Sequence, residues 1–413
     1  MTDPVHEHYE ALPYPPRDPR DEAKRLITGS PSRLDELNHY VFGGARDFAK
    51  PFRALVAGGG TGDAAIMLAQ QLADAGANAE VVYLDWSKAT RGVAESRAAV
   101  RKLTNLRFVT GSLIEFGNLG LGRFDYIDCC GVLHHLPDPA AGLAALAGAL
   151  NEEGGLGLML YAHLGRTGVY PLQDSLRGLL SEADSIETRL AVAKKLLAQL
   201  PGTNWLKRNP FVTDHLTEGD SGIFDLLLHS RDRAYDVREV NAFVEGAGLR
   251  LVSFVPEARY RPESYVSDAA LVKRAERLSA IERAALAENI AGNIKSHVFY
   301  AVKRANKVTP PEPDDPALVP VFCELDPAEL AAKLKPAGVL TASFEGWQSK
   351  LPLPPLGPAI AGLIDNRRTL GEIHAALKER RADLTWEGFV SQFRVFYAAF
   401  NGIARLMLRA PSR

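Results

Sequence analysis

Between residues 52 and 161, short unbroken apolar runs alternate with stretches in which apolar positions recur every three or four residues. RALVAG, AEVVYLD, LRFVTGS, FDYIDCCGV and GGLGLMLYA read as strands, and DAAIMLAQQLADAG, KATRGVAESRAAVRKL and PAAGLAALAGAL read as helices. A strand that is apolar along its whole length is covered on both faces, so the pattern predicts a parallel sheet clothed by helices, an α/β fold. The alternation stops after Tyr161. Residues 164–235 read as an inserted block of helices and loops, including YPLQDSLRGLL and ETRLAVAKKLLAQL. It resumes with VREVNAFVEGAG as a helix, LRLVSFV as a strand, a helical stretch over 267–291 and SHVFYAVKR as a strand.

The two ends have other patterns. Residues 1–50 read as an arm, extended where Pro13, Pro15, Pro16 and Pro19 oppose regular structure, then helical after a cap at Ser30 or Ser32. A main domain at 51–305 is followed by KVTPPEPDDPALVP, whose prolines and acids predict a linker over 306–319. Residues 320–413 carry short helical patterns, notably TLGEIHAALKER and WEGFVSQFRVFYAAFNGIARLML, and predict a small, mainly helical C-terminal domain.

Composition narrows the function. The formal charge of −2 gives no global basic field, which makes a nucleic-acid partner unexpected. KKLLAQLPGTNWLKRNP, with Lys194, Lys195, Lys207 and Arg208, is the one basic strip and reads as a solvated helix face. Cys129, Cys130 and Cys323 make neither a disulfide framework nor a zinc set. The polar, proline-rich start has no apolar signal segment, and no apolar run reaches bilayer length, so a cytoplasmic protein without a membrane partner is expected.

The apolar run FRALVA ends at Gly58-Gly59-Gly60-Thr61-Gly62, and the ligand of that turn is the central question. A P-loop needs Gly-Lys-Ser/Thr, whereas Gly62 is followed by Asp63 and Ala64. A dinucleotide fingerprint begun at Gly58 would place its third glycine at 63, where an aspartate would repel a pyrophosphate. S-adenosylmethionine has no phosphate and carries a sulfonium and an ammonium, which an acid suits.

LVAGGGTGD, VVYLD and FDYIDCCGVLHHLPDP, in this order, resemble the class I S-adenosylmethionine-dependent methyltransferases. The resemblance is strong over about 50–165, extends weakly to about 305, and implies a Rossmann-like sheet. It implies a cofactor site of Gly58, Gly59, Gly60, Gly62, Asp63, Asp85, Trp86, Ser112, Leu113, Cys130 and Gly131. Asp85 would receive the two ribose hydroxyls, with a helix N-cap as its competing role. Ser112 and Leu113 would face adenine. The family commonly has an acid just before the glycine turn, where this chain has Val56; Asp63 either replaces it or favours the helix N-terminus.

For the methyl acceptor, the candidates are His134, His135, Tyr161, Arg166 and Tyr170, all beyond strand ends. His134 or His135 could remove a proton, or the pair could be structural. Arg166 could clamp a carboxylate between Tyr161 and Tyr170, or pair with one of the chain's acids. Asp225 and His229 share a helix face in the expected helix but have no evident third ligand, and no metal is expected. The inserted block and C-terminal region look like those of larger protein-modifying methyltransferases, including some bacterial protein lysine methyltransferases. The expectation leans to a protein or peptide acceptor, with a small-molecule O-, N- or C-methyltransferase or a catalytically silent cofactor-binding subunit as alternatives. A homodimer through either appended part is also expected.

Overall fold

The computed structural model describes residues 3–181, 183–344 and 346–411. The N-terminal arm is more regular than its prolines suggest. Helix α1 (Pro4–Ala11) starts where the Asp3 carboxylate accepts the Val5 N–H, a 3-10 turn spans Pro19–Ala23, and α2 (Leu34–Phe42) follows. Neither expected serine caps α2. Its cap position is Arg33, without a side-chain bond, while Ser30 and Ser32 donate to Glu36 and Asp128. Buried carboxylates are stronger acceptors for a hydroxyl than the cap is as a donor site.

Next come β1 (Phe52–Ala57), α3 (Asp63–Asp74), β2 (Ala79–Asp85), α4 (Lys88–Val100), β3 (Leu106–Thr110), β4 (Phe124–Cys130), α5 (Pro139–Gly148) and β5 (Leu150–Tyr161). These five strands are parallel. The inserted block holds α6 (Val169–Leu179), α7 (Ile186–Gln199) and three short helices, α8 (Trp205–Arg208), α9 (Asp214–Thr217) and α10 (Gly219–Ile223). It closes with a π-helical turn over Phe224–Leu228, and gathers its own apolar cluster around Leu172, Leu176, Leu206 and Leu227.

The chain then returns to the sheet through α11 (Val237–Gly246), β6 (Leu249–Val255), α12 (Ala269–Ala275), α13 (Ala280–Ala291) and β7 (Ser296–Lys303). The strand order is β3-β2-β1-β4-β5-β7-β6. This is the Rossmann-like sheet of the resemblance, but it is not all parallel: β7 runs antiparallel to both neighbours. An apolar run reports burial on two faces and carries no information on direction.

The C-terminal region comprises β8 (Val319–Phe322), α14 (Pro327–Lys333), β9 (Val339–Phe344), β10 (Trp347–Pro352), α15 (Gly357–Leu363), α16 (Leu370–Lys378), α17 (Trp386–Gly402) and β11 (Leu406–Arg409). Phe389, Phe393, Phe396 and Phe400 centre its own core. The pattern WEGF…LML is not one helix. Ala404 takes a left-handed φ of 56°, and Leu406–Arg409 leaves to pair antiparallel with β8. Among the described residues, no helix is long and apolar enough to cross a membrane.

This region docks on α2. The buried His39 ring meets the Leu408 backbone oxygen at 3.0 Å and the Tyr397 hydroxyl at 3.0 Å. Burial pushes its pKa down to about 4. The unfolded chain therefore binds this proton first on acidification: the contribution is complete above about pH 6.5 and is lost as pH falls toward 4. The loss amounts to ~3 kcal/mol. We expect His39→Gln to remove about one proton from the slope of unfolding free energy against pH in that window, measured by urea melts; an unchanged slope would contradict the docking role.

Candidate active site

Beyond Ala57 the backbone leaves the sheet through Gly58, Gly60 and Gly62, with φ of 73°, 51° and 103°, a path that L side chains resist. Gly59 is required for another reason: a Cβ there would overlap the ring of Tyr83, whose hydroxyl donates to the Gly60 carbonyl at 2.6 Å. Asp85 fixes the other side of the turn. Its Oδ2 accepts the Gly60 N–H at 2.8 Å and its Oδ1 accepts the Ser87 N–H at 2.9 Å. Burial pushes this carboxyl above its ordinary range. Asp85 does not cap α4, because Ser87 does.

A cavity of ≈ 370 Å³ opens over these strand ends. Its floor and walls come from the glycine turn, the ends of β2 and β4, and the 111–113 segment. Its roof comes from the N-terminal arm, through Val5, Tyr9, Tyr14 and Pro15. Every expected cofactor residue except Gly62 borders the cavity; Gly62 instead lies at the α3 N-terminus, against Ala94.

The roof is pinned by charge. Arg17 reaches Asp63 with Nε at 3.0 Å and Nη2 at 2.7 Å. The buried Arg97 joins Asp63 at 2.6 Å, the Thr61 carbonyl at 2.8 Å and Glu22 at 2.5 Å, and Arg101 adds a second partner for Glu22. Burial alone would raise the Asp63 carboxyl, but the two guanidiniums hold it below its ordinary range. Asp63 is therefore a clasp for the arm.

Four carboxylates, Asp63, Asp85, Asp128 and Asp225, border the cavity, and among the described residues no lysine or arginine does. Asp63 is neutralised by its two arginines; the other three carboxylates repel a pyrophosphate and suit a cation.

Residues 55–156 match the family model for a methyltransferase domain. The chain is 30% identical over 310 residues to an uncharacterized protein of a Synechococcus species, covering 73% of this chain and 71% of that protein. The class I S-adenosylmethionine-dependent methyltransferases are its family. The ubiquinone biosynthesis O-methyltransferase of Alkalilimnicola ehrlichii is 31% identical over 166 residues, 37% of this chain and 62% of that enzyme. In fold, the chain is similar to PKMT2 from Rickettsia typhi in complex with AdoHcy, at a TM-score of 0.63 and 14% identity, covering 92% of this chain and 76% of that one.

The methyltransferase's expected acceptor residues divide. His135 and Tyr161 border the cavity; His134, Arg166 and Tyr170 do not. His134 is buried against the Tyr161 ring at 4.0 Å, with neither nitrogen hydrogen-bonded, and burial pushes its basicity far down. Arg166 is already spent: Asp232 takes its guanidinium at 3.1 Å, the Tyr170 hydroxyl lies 3.2 Å from Nε, and the group sits 3.6 Å over the Tyr161 ring. A carboxylate clamp is not available from it. Gln173 holds Asp232 at 3.0 Å, so this cluster orients Tyr161 from behind.

Tyr9 and Asp225 complete the chamber. The Tyr9 and Tyr161 hydroxyls donate to Asp225 Oδ1 at 3.1 Å and Oδ2 at 3.4 Å. Burial pushes the Asp225 carboxyl up. The third group that sequence left missing beside Asp225 and His229 is present: His135 joins them, with ligand-capable atoms within 4.8 Å of one another. The hydrogen bonds nevertheless disfavour a metal. His135 Nδ1 lies 2.8 Å from the Arg231 carbonyl, so it carries the proton and Nε2 keeps the lone pair. His229 Nδ1 accepts the Arg231 N–H at 3.1 Å, so its proton sits on Nε2, the nitrogen facing the chamber. Two imidazole lone pairs do not converge.

Arg97→Met should cost about 3 kcal/mol, toward the low end for a broken buried ion pair because Arg17 and Arg101 remain. Urea denaturation with limited proteolysis of the arm checks this; an unchanged midpoint and cleavage pattern would contradict the clasp.

Proposed function

We propose that the enzyme methylates an amine nitrogen of a protein or peptide side chain. The observation that carries this reading is Asp225, a buried carboxylate bonded to two phenol hydroxyls and, among the described residues, to no cation, in a chamber walled by Tyr9, Tyr14 and Tyr161. A carboxylate ringed by aromatic faces attracts an ammonium. Support also comes from the fold likeness across 92% of the chain, which takes in the inserted block and C-terminal region.

Each residue has a task in this reading. Asp85 receives the ribose hydroxyls on lone pairs left by its two backbone bonds. Leu113, with Ser112 and Trp86, forms the adenine wall, and Cys130 and Gly131 border the amino-acid end. S-adenosylmethionine, when bound, supplies a methyl group that is displaced in line, the C–S electron pair leaving with sulfur. Asp225 draws the acceptor in as its ammonium and orients it, and His135 Nε2 takes the proton that must leave before the nitrogen lone pair can attack. Tyr161, held from behind by Arg166, fixes the approach.

One observation favours a small-molecule acceptor: α1 covers part of the chamber through Val5 and Tyr9. A transfer assay with labelled methyl donor on size-fractionated extract separates the two. Base-stable label on polypeptide is expected; label confined to small molecules would overturn the protein reading. Asp225→Asn should raise the acceptor's KM and lower kcat by about 10²-fold with cofactor affinity unchanged. Asp85→Ala should weaken cofactor binding by about 1–3 kcal/mol in calorimetry; unchanged affinity would remove the ribose assignment.

A further inference from the structure

The acid that the family commonly places before the glycine turn is absent, since position 56 is valine. Asp63, the replacement that sequence suggested, is held by Arg17 and Arg97. The sheet supplies another. In the pairing of β1 with β4, Val56 stands directly opposite Asp128, so the two side chains share a face, and both border the cavity.

Asp128 is 1% exposed, yet among the described residues no cation pairs with it. Oδ2 accepts the Ser32 hydroxyl from the arm at 2.5 Å, and the Cys130 thiol lies 3.8 Å away. A buried carboxylate without a counter-charge is costly, and Asp128 borders the cavity, from which a counter-charge can arrive. We infer that Asp128, reaching the cavity from β4 beside Val56, binds the ammonium of the cofactor's amino-acid end. This rests on the cofactor lying in the cavity with its ribose at Asp85, and adds the residue that selects its charged end.

Protonation gives an independent handle. Burial raises the Asp128 pKa to about 6, against the Ser32 and Cys130 bonds that lower it. An ammonium binds the ionised form, so affinity should rise as pH passes upward through about 6, with release of a proton. The titratable neighbours are Tyr126, Cys129 and Cys130, all pushed up by burial and silent in this range. Asp85, also raised by burial, faces the ribose of every probe used below.

The test is calorimetry on the full chain with S-adenosylmethionine, S-adenosylhomocysteine, which keeps the ammonium but not the sulfonium, and 5′-methylthioadenosine, which has neither. Asp128→Asn should weaken the first two by about 10- to 100-fold and leave the third unchanged. Asp85→Asn should weaken all three. Loss of S-adenosylmethionine alone would place the carboxylate at sulfur and overturn the ammonium assignment. Equal loss of all three with Asp128→Asn, or loss of none, would also overturn it. If Asp85→Asn affects no probe, the cofactor placement itself fails. Should Asp128→Asn not fold, the native chain still decides: any titration of Asp85 acts on both probes alike, so S-adenosylhomocysteine affinity must rise more steeply than methylthioadenosine affinity between pH 5 and 7, and parallel profiles would refute the inference.

Discussion

Arg97 is the contact on which the site depends. Its side chain is almost fully buried, and it ties Glu22 of the N-terminal arm to Thr61 and Asp63 of the glycine turn. A guanidinium suits this task because its planar fork serves two carboxylates and a carbonyl at once. Without it the arm would lose a principal attachment, and the arm carries Tyr9 and Tyr14 into the cavity and Ser32 onto Asp128. The cavity of this methyltransferase is therefore shared between a sheet that presents strand ends and an arm that closes them.

Charge then divides the cavity by function. Asp63 is neutralised by arginines and builds structure, whereas Asp128 and Asp225 are buried without a cationic partner in bonding distance. Both are costly in isolation, and each becomes favourable when a positive group arrives. The proposed division assigns the cofactor's ammonium to Asp128 and the acceptor's to Asp225. Arg166 is kept out of this space by Asp232 and acts through the face of Tyr161.

The sequence was legible wherever local patterning determines structure. The five parallel strands, their helices and the glycine turn follow from apolar runs and from residues that permit positive φ. It was not legible where long-range pairing decides. The direction of β7, the strand hidden in LML and the docking of α2 through His39 each depend on partners far away in sequence. The same holds in the site. Asp85 and Gly58–Gly60 lie in a motif, but Tyr9 and Tyr14 lie in a proline-rich arm with no motif, and Asp128 is seen only once its pairing with Val56 is known. For Arg166 the sequence left a clamp and a pairing with an acid both open, and it could not single out the partner, Asp232, 66 residues away.

The central claim is that one cavity, roofed by the arm, holds the cofactor. Hydrogen–deuterium exchange of the full chain with and without S-adenosylhomocysteine tests it most directly. The account predicts added protection in the glycine turn, at 128–131 and, together with these, along α1 and the segment through Pro15. Protection of the turn with no change anywhere in the arm would contradict it.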